Sequence, residues 1–340
     1  MSRSARAIAG VLSALALSTV LVGCGNSAAS DAGTLTIYNA QHESLVTAML
    51  ADFTKQTGIK VEYRNGDDAE LANQIVQEGK ASPADVFLTE NSPSIDVVDR
   101  AGLLAPVQRS TLDQVGEQYR PSSGNWVGFA ARSTVLVYNP SKVAEADLPA
   151  SLLDLADPRW NKQVGIAAGG ADFQAIVSAV LDLRGEEATR TWLKGLAANA
   201  EVYPSNMAVM KAVDEGKIQT GVIYHYYWYR DRAQHGLVGD DTKLHYFRNQ
   251  DPGAFVSVSG AGVLKNSDHA ADAQKLVAYL TSAEAQKKLA ESDALEYAVG
   301  NGVASAPALP PLADLQAPTV DPGSLNGKQV TALMQEAGLL

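Results

Sequence analysis

Three short stretches of the chain carry side chains able to do chemistry, and each stands where an extended run gives way to a helix or loop. His42 and Glu43 follow LTIY (35–38), Glu90 follows DVFLT (85–89), and Tyr226 and Tyr227 follow TGVIY (220–224). Between Tyr224 and Tyr229, four of the chain's twelve tyrosines fall within six residues. Aromatic runs usually pack a core. Adjacent residues on a helix, however, diverge by about 100° and do not share one buried stripe, so part of this set is expected to face a cleft. A phenol ionises near pH 10 in water, yet a trivalent cation stabilises phenolate enough to displace the proton, as metals do for thiols and water. Two phenolates, one carboxylate and one neutral imidazole balance the charge of a ferric ion, and hard oxygen donors suit it while disfavouring copper(I). Four protein ligands leave octahedral positions for an anion or water. Singly, His42 reads as a polar or capping residue and Glu90 as an acid favouring the next helix's N-terminus; the metal reading rests on the set. His225, His235, His245 and His269 show no metal-ligand spacing and read as ordinary polar residues, and Trp126, Trp160, Trp192 and Trp228 read as packing.

These residues need a scaffold that brings strand ends together. LTIY leads into a helix over 43–56 that stops at Gly58, and IKVEY (59–63) follows, a βαβ opening. A helix over about 69–78, the strand at 85–89 and a helix over about 95–101 continue a doubly wound half. VGFAA (127–131) and TVLVYN (134–139) read as two consecutive strands with no helix between them, so the parallel winding is interrupted and the chain can enter a second lobe. There, a strand near 164–167 and helices near 173–183, 186–197 and 206–215 precede TGVIY. VSVSGAGVL (256–264) reads as a strand able to return to the first lobe, followed by helices near 269–280 and 283–289. A Pro-rich stretch (305–318) and a last helix near 328–337 close the chain. The expected architecture is α/β and two-lobed, with a hinge of two crossover strands. The lobes are expected at 34–132 plus 257–309 and at 133–256 plus 310–340. In open α/β sheets ligands collect outside the carboxyl ends of strands, so two lobes facing each other there enclose a cleft.

The N-terminus reads as an export signal over residues 1–23: Arg3 and Arg6, an apolar run from Ala7 to Val22, then Gly23 and Cys24. The run is shorter than the roughly 20 residues of a membrane-spanning helix. Leu21-Val22-Gly23-Cys24 resembles the lipobox of bacterial lipoproteins, which implies lipidation of Cys24, the only cysteine. Residues 24–33, mostly small and polar, then read as a flexible stalk between membrane and body. Without the signal, 25 basic residues face 38 acidic ones, a balance that disfavours nucleic acid. No H-E-x-x-H, G-x-S-x-G or P-loop pattern supports an enzyme such as a metallohydrolase. An organic solute, such as a polyamine or sugar acid stacked on the tyrosines, is the alternative cargo.

YNAQHE (38–43), SPADVFLTEN (82–91), YYWY (226–229), DPGAF (251–255) and SGAGVLK (259–265) resemble the ferric-ion-binding proteins of bacterial iron ABC importers, over nearly all of the chain after the signal. The resemblance implies a periplasmic-binding-protein fold of type II kind and a monomer that hands iron to a permease. It also implies iron ligation by His42, Glu90, Tyr226 and Tyr227. Family members often add phosphate or carbonate at a helix N-terminus of the second lobe. Here that loop reads Ala168-Gly169-Gly170-Ala171-Asp172: a serine hydroxyl is missing and Asp172 would repel an anion. The amides of Gly170 and Ala171, with Asn206, remain candidate anion donors. Arg132 is a further candidate, although a charge on an exposed rim is its plainer reading.

Overall fold

The computed structural model describes residues 33–234 and 241–340. The signal segment, Cys24, nearly all of the stalk and His235 lie outside them. Ten strands are present among the described residues: β1 (Thr34–Asn39), β2 (Lys60–Asn65), β3 (Val86–Leu88), β4 (Leu104–Ala105), β5 (Trp126–Tyr138), β6 (Val164–Ile166), β7 (Ala200–Val202), β8 (Thr220–Tyr224), β9 (Lys243–His245) and β10 (Val256–Leu264). The helices are α1 (Glu43–Thr57), α2 (Asp68–Glu78), α3 (Ser92–Arg100), α4 (Arg109–Leu112), α5 (Ala171–Arg184) and α6 (Glu186–Asn199). They continue with α7 (Asn206–Asp214), α8 (His225–Ala233), α9 (Ala270–Leu280), α10 (Ala283–Glu291) and α11 (Gly327–Glu336).

The strands run in the order β2-β1-β3-β10-β5-β8-β6-β7, with β4 on β10 and β9 on β5. The outer pairs, β1 with β2 and β3, and β6 with β7 and β8, are parallel. At the centre β10 and β5 run antiparallel, and this reversal joins two doubly wound halves into a two-lobed α/β fold. One core gathers around Leu35, Phe53, Phe129 and Leu276, with a smaller cluster at Phe87, Ile95 and Trp126; a second gathers around Trp160, Phe173, Trp192 and Met334, with a smaller cluster at Val209, Met210 and Ile223.

The local reasons are visible in the sequence. In α1, Leu45, Val46, Met49, Leu50 and Phe53 share one face and are buried, the spacing of an amphipathic helix. It ends at Gly58, whose φ of 74° is a left-handed C-cap that donates its amide to Thr54 O at 2.9 Å. The wholly buried β8 passes directly into α8, which sets Tyr226 and Tyr227 at a strand end.

The expected pair of strands at 127–131 and 134–139 is one continuous, fully buried strand. Arg132 and Ser133 do not interrupt it, because they pair with Ser257 and Val256 of β10 while Thr134 pairs with Tyr224 of β8. Thus β5 lies against β10 over its first eight residues and against β8 thereafter. The short strands β4, β7 and β9 were not expected from the sequence. A bulge interrupts the β5–β10 register between Ser259 and Gly260, which pair with Ala130 and Gly128, leaving Phe129 as the extra residue.

A Cβ at Gly128 would stand 2.5 Å from the Tyr119 carbonyl oxygen and would also collide with Val258. Gly128→Ala is therefore expected to destabilise the metal-free protein by about 1–3 kcal/mol through overpacking, measured by urea unfolding. An unchanged midpoint would show that the bulge yields freely.

Candidate functional site

His42, Glu90, Tyr226 and Tyr227 come together. His42 is the N-cap residue of α1 at the end of β1, Glu90 lies between β3 and α3, and the tyrosines occupy the first turn of α8. His42 Nε2 stands 3.6 Å from Glu90 Oε1, and the Tyr226 hydroxyl donates to that same oxygen at 2.9 Å. The rings of His42 and Tyr226 meet edge to face at 5.0 Å. Although adjacent on a helix, Tyr226 and Tyr227 hold their rings 4.2 Å apart at 30°. The Tyr227 hydroxyl donates to Asp172 Oδ2 at 3.0 Å. His42 and Glu90 keep 22% and 19% side-chain exposure, so an opening to solvent remains beside the buried Tyr226.

Each phenol is thus hydrogen-bonded to a carboxylate. Burial first, then the charge of Glu90 for Tyr226 and of Asp172 for Tyr227, raises both phenols well above their ordinary value, so they hold their protons when no cation is present. The acids repel one another. Asp172 is pushed up to about 7 and Asp68 to about 8, in both cases by burial and then by the charge of Glu90. Asp68, at the start of α2, accepts the amides of Glu90 and Asn91 at 2.9 Å each and so anchors the loop that carries Glu90. Burial opposes protonation of His42, but the hydrogen bond and charge of Glu296, together with Glu90, raise its pKa overall. Such a pocket keeps protons on groups that would otherwise ionise, and a multivalent cation would displace them.

The candidate anion donors do not form one group. Arg132 is no rim charge: it is 0% exposed, paired with Glu296 at 2.7 Å and bonded to the Glu90 carbonyl oxygen, because its strand is the buried crossover. Gly170 caps α5, and its amide already donates to Ala167 O at 2.9 Å. Asn206 donates to Asp172 Oδ2 at 2.8 Å, and Ala171 opens α5 beside it. Asp172 was expected to act only by repulsion; it instead accepts from Asn91, Asn206 and Tyr227. Gly170, Ala171, Asp172, Asn206 and Tyr227 line a cavity of about 1220 Å³ that begins at Glu90, far larger than a bare ion requires.

Sequence reasoning missed Glu296 and the role of Asp68. A lone carboxylate in the otherwise apolar stretch Ala294–Val299 was the available signal for Glu296. His225 is not an ordinary polar residue either. It is wholly buried, driven down to about 3 by burial, and accepts the Ser133 amide at 3.1 Å through Nδ1. His245 stacks edge-on with Phe247, and His269 is the N-cap residue of α9.

A two-lobed fold with ligand-facing strand ends at an acidic cleft defines a solute-binding protein. The chain belongs to the family of bacterial extracellular solute-binding proteins, whose model matches residues 81–322. It is 55% identical over 327 residues to the Fe(3+)-binding periplasmic protein of Serratia marcescens, covering 96% of this chain and 97% of that one. It is 38% identical over 308 residues to the major ferric iron-binding protein of Neisseria meningitidis serogroup B, covering 90% and 93%. The crystal structure of iron-bound HitA from Pseudomonas aeruginosa superimposes with a TM-score of 0.83 at 43% identity, covering 90% of this chain and 99% of that one.

The raised pKa of Asp172 has a stability consequence. Between about pH 4 and 7 the folded protein keeps this proton while the unfolded chain, with the ordinary value of 3.8, loses it. The contribution of Asp172 to stability therefore falls as pH rises through that window. The metal-free Asp172→Asn protein should lack this part of the decline, so its unfolding free energy, relative to the parent's, should rise from pH 4 to pH 7. Parallel pH profiles for the two proteins would show that Asp172 does not titrate in that range.

Proposed function

We propose that this chain is an extracytoplasmic ferric-ion-binding protein that captures its cargo between the lobes and delivers it to an ABC transporter permease. The observation carrying this reading is the convergence of two phenols on two carboxylates beside an imidazole, in a pocket whose acids repel one another. His42, Glu90, Tyr226 and Tyr227 bind the ion. Asp172 accepts the Tyr227 proton bond when the cleft is empty of metal, and the adjoining cavity has room for an anion such as carbonate or phosphate to complete the shell. The iron-binding names of the relatives agree with this reading. A sugar acid stacked on the tyrosines would add negative charge beside the buried acids, a polyamine would offset that charge but leave both phenols protonated, and an enzyme would need an open, water-activating metal position.

The lobes are assigned to 34–132 plus 257–309 and to 133–256 plus 310–340. In support, Val320, Val330 and Met334 pack in the second core. Leu315 packs in the first, which argues for a last passage between lobes just after Leu315 and not after 309. The hinge is the pair β5 and β10, the strands shared between the halves. Cys24 carries the lipid that tethers the monomeric body to the outer face of the cell membrane, through the stalk at 24–33.

The purified protein should turn coloured with ferric citrate as the phenolate-to-iron band appears, and should release protons into weak buffer because both phenols are protonated beforehand. Acid should reverse both changes. The variant carrying Tyr226→Phe and Tyr227→Phe should stay colourless and release none. Equal ferric affinity in the parent and the double variant would sink the proposal. For the tether, Cys24→Ala is expected to move the protein from the membrane fraction to the soluble fraction of cells; unchanged membrane association would exclude lipidation at Cys24 as the anchor.

A further inference from the structure

Glu296 is wholly buried, follows α10, and is placed by an unusual backbone. Leu295 before it has a φ of 53°, a left-handed conformation that a leucine adopts only under strain and that tends to mark functional positions. Tyr297 after it is locked to β5 by two backbone hydrogen bonds with Ala131, at 2.8 and 3.0 Å. Between these anchors the carboxylate is aimed inward and divided between two partners. One oxygen meets His42 Nδ1 at 2.9 Å; the other accepts Arg132 Nη2 at 2.7 Å and Gln41 Nε2 at 3.3 Å. A carboxylate serving only to neutralise a buried arginine would present both oxygens to the guanidinium fork. Gln41 completes the grip, since its side-chain Oε1 accepts the His42 backbone amide at 2.6 Å and its Nε2 also donates to Ser259 Oγ at 2.7 Å.

We propose that Glu296 is a positioning residue for iron capture: its carboxylate holds the proton on Nδ1 of His42 and fixes the ring, so that Nε2 presents its lone pair to the cleft beside Glu90 and Tyr226. An ionised carboxylate can only accept, which leaves Nδ1 as the donor and Nε2 as the free ligand atom. Through Arg132, the same carboxylate steadies the Glu90 carbonyl, so both first-lobe ligands are set by one group that never touches the ion. The inference rests on the ferric reading of His42.

The test is a double-mutant cycle on ferric affinity, measured by competition with citrate, with thermal unfolding of each metal-free variant as the check on folding. Glu296→Gln should weaken binding about ten- to a hundredfold, the usual cost of losing a partner that orients a metal ligand. It should also displace the visible band in the same direction as His42→Ala. In the His42→Ala background the same change should alter affinity by about twofold or less. Glu296→Asp keeps the charge opposite Arg132 but withdraws the carboxylate from the ring, and should show the same dependence on His42 even where Glu296→Gln folds poorly. Equal losses in both backgrounds would overturn the positioning role. Undiminished binding by His42→Ala alone would instead overturn the assignment of His42 as a ligand.

Discussion

The arrangement of the cleft depends on one buried charge pair. Arg132 and Glu296 are both 0% exposed and stand 2.7 Å apart. Neither could be buried without the other: removing one member of such a pair costs about 3–5 kcal/mol, because the remaining charge is stranded away from water. That requirement fixes where the segment after α10 crosses β5, and it brings Glu296 within reach of His42 and Arg132 within reach of the Glu90 backbone. The pair sits on the first half of β5, next to the point where that strand leaves β10 for β8. A single electrostatic constraint therefore connects the crossover strand to both candidate ligands of the first lobe.

The second lobe contributes through a different balance. Tyr226 and Tyr227 are held by hydrogen bonds to carboxylates of opposite provenance, Glu90 from the first lobe and Asp172 from the second. Asn91 also reaches across to Asp172, at 3.0 Å. Burial first, and then the charge of Glu90, pushes Asp172 up to about 7 and Asp68 to about 8. The contacts that join Asp172 to the first half thus also set it against Glu90, and a cation of high charge turns this repulsion into attraction.

Much of this was legible in the sequence. TGVIY and VSVSGAGVL match β8 and β10 residue for residue, because both are continuous runs made mostly of small and β-branched residues. The four candidate ligands were legible because each stands at the end of such a run. The division of β5 into two strands came from the polar pair Arg132-Ser133, and the partner that makes Arg132 buriable lies 164 residues further on. β4 and β7 are as short as β3 and β6 but lack their wholly buried apolar runs, so no local pattern marks them. Asp172 could be read as an anion repeller from its neighbours alone, whereas the donors that share its charge come from the N-cap of α3, from α7 and from α8.

The separation between what was and was not legible follows the chemistry. Groups that meet a ligand stand at strand ends, where local pattern marks them; groups that orient those ligands need only be near in space. His42 and Glu296 are 254 residues apart, and no periodicity connects them. Yet a histidine ring whose proton can sit on either nitrogen cannot serve as a directed ligand until a partner fixes the tautomer. A candidate ligand histidine at the partly buried start of α1 therefore calls for a buried acceptor on its far side. In this fold the buried crossover strand, with an arginine already in need of an anion, is where such an acceptor can be kept ionised.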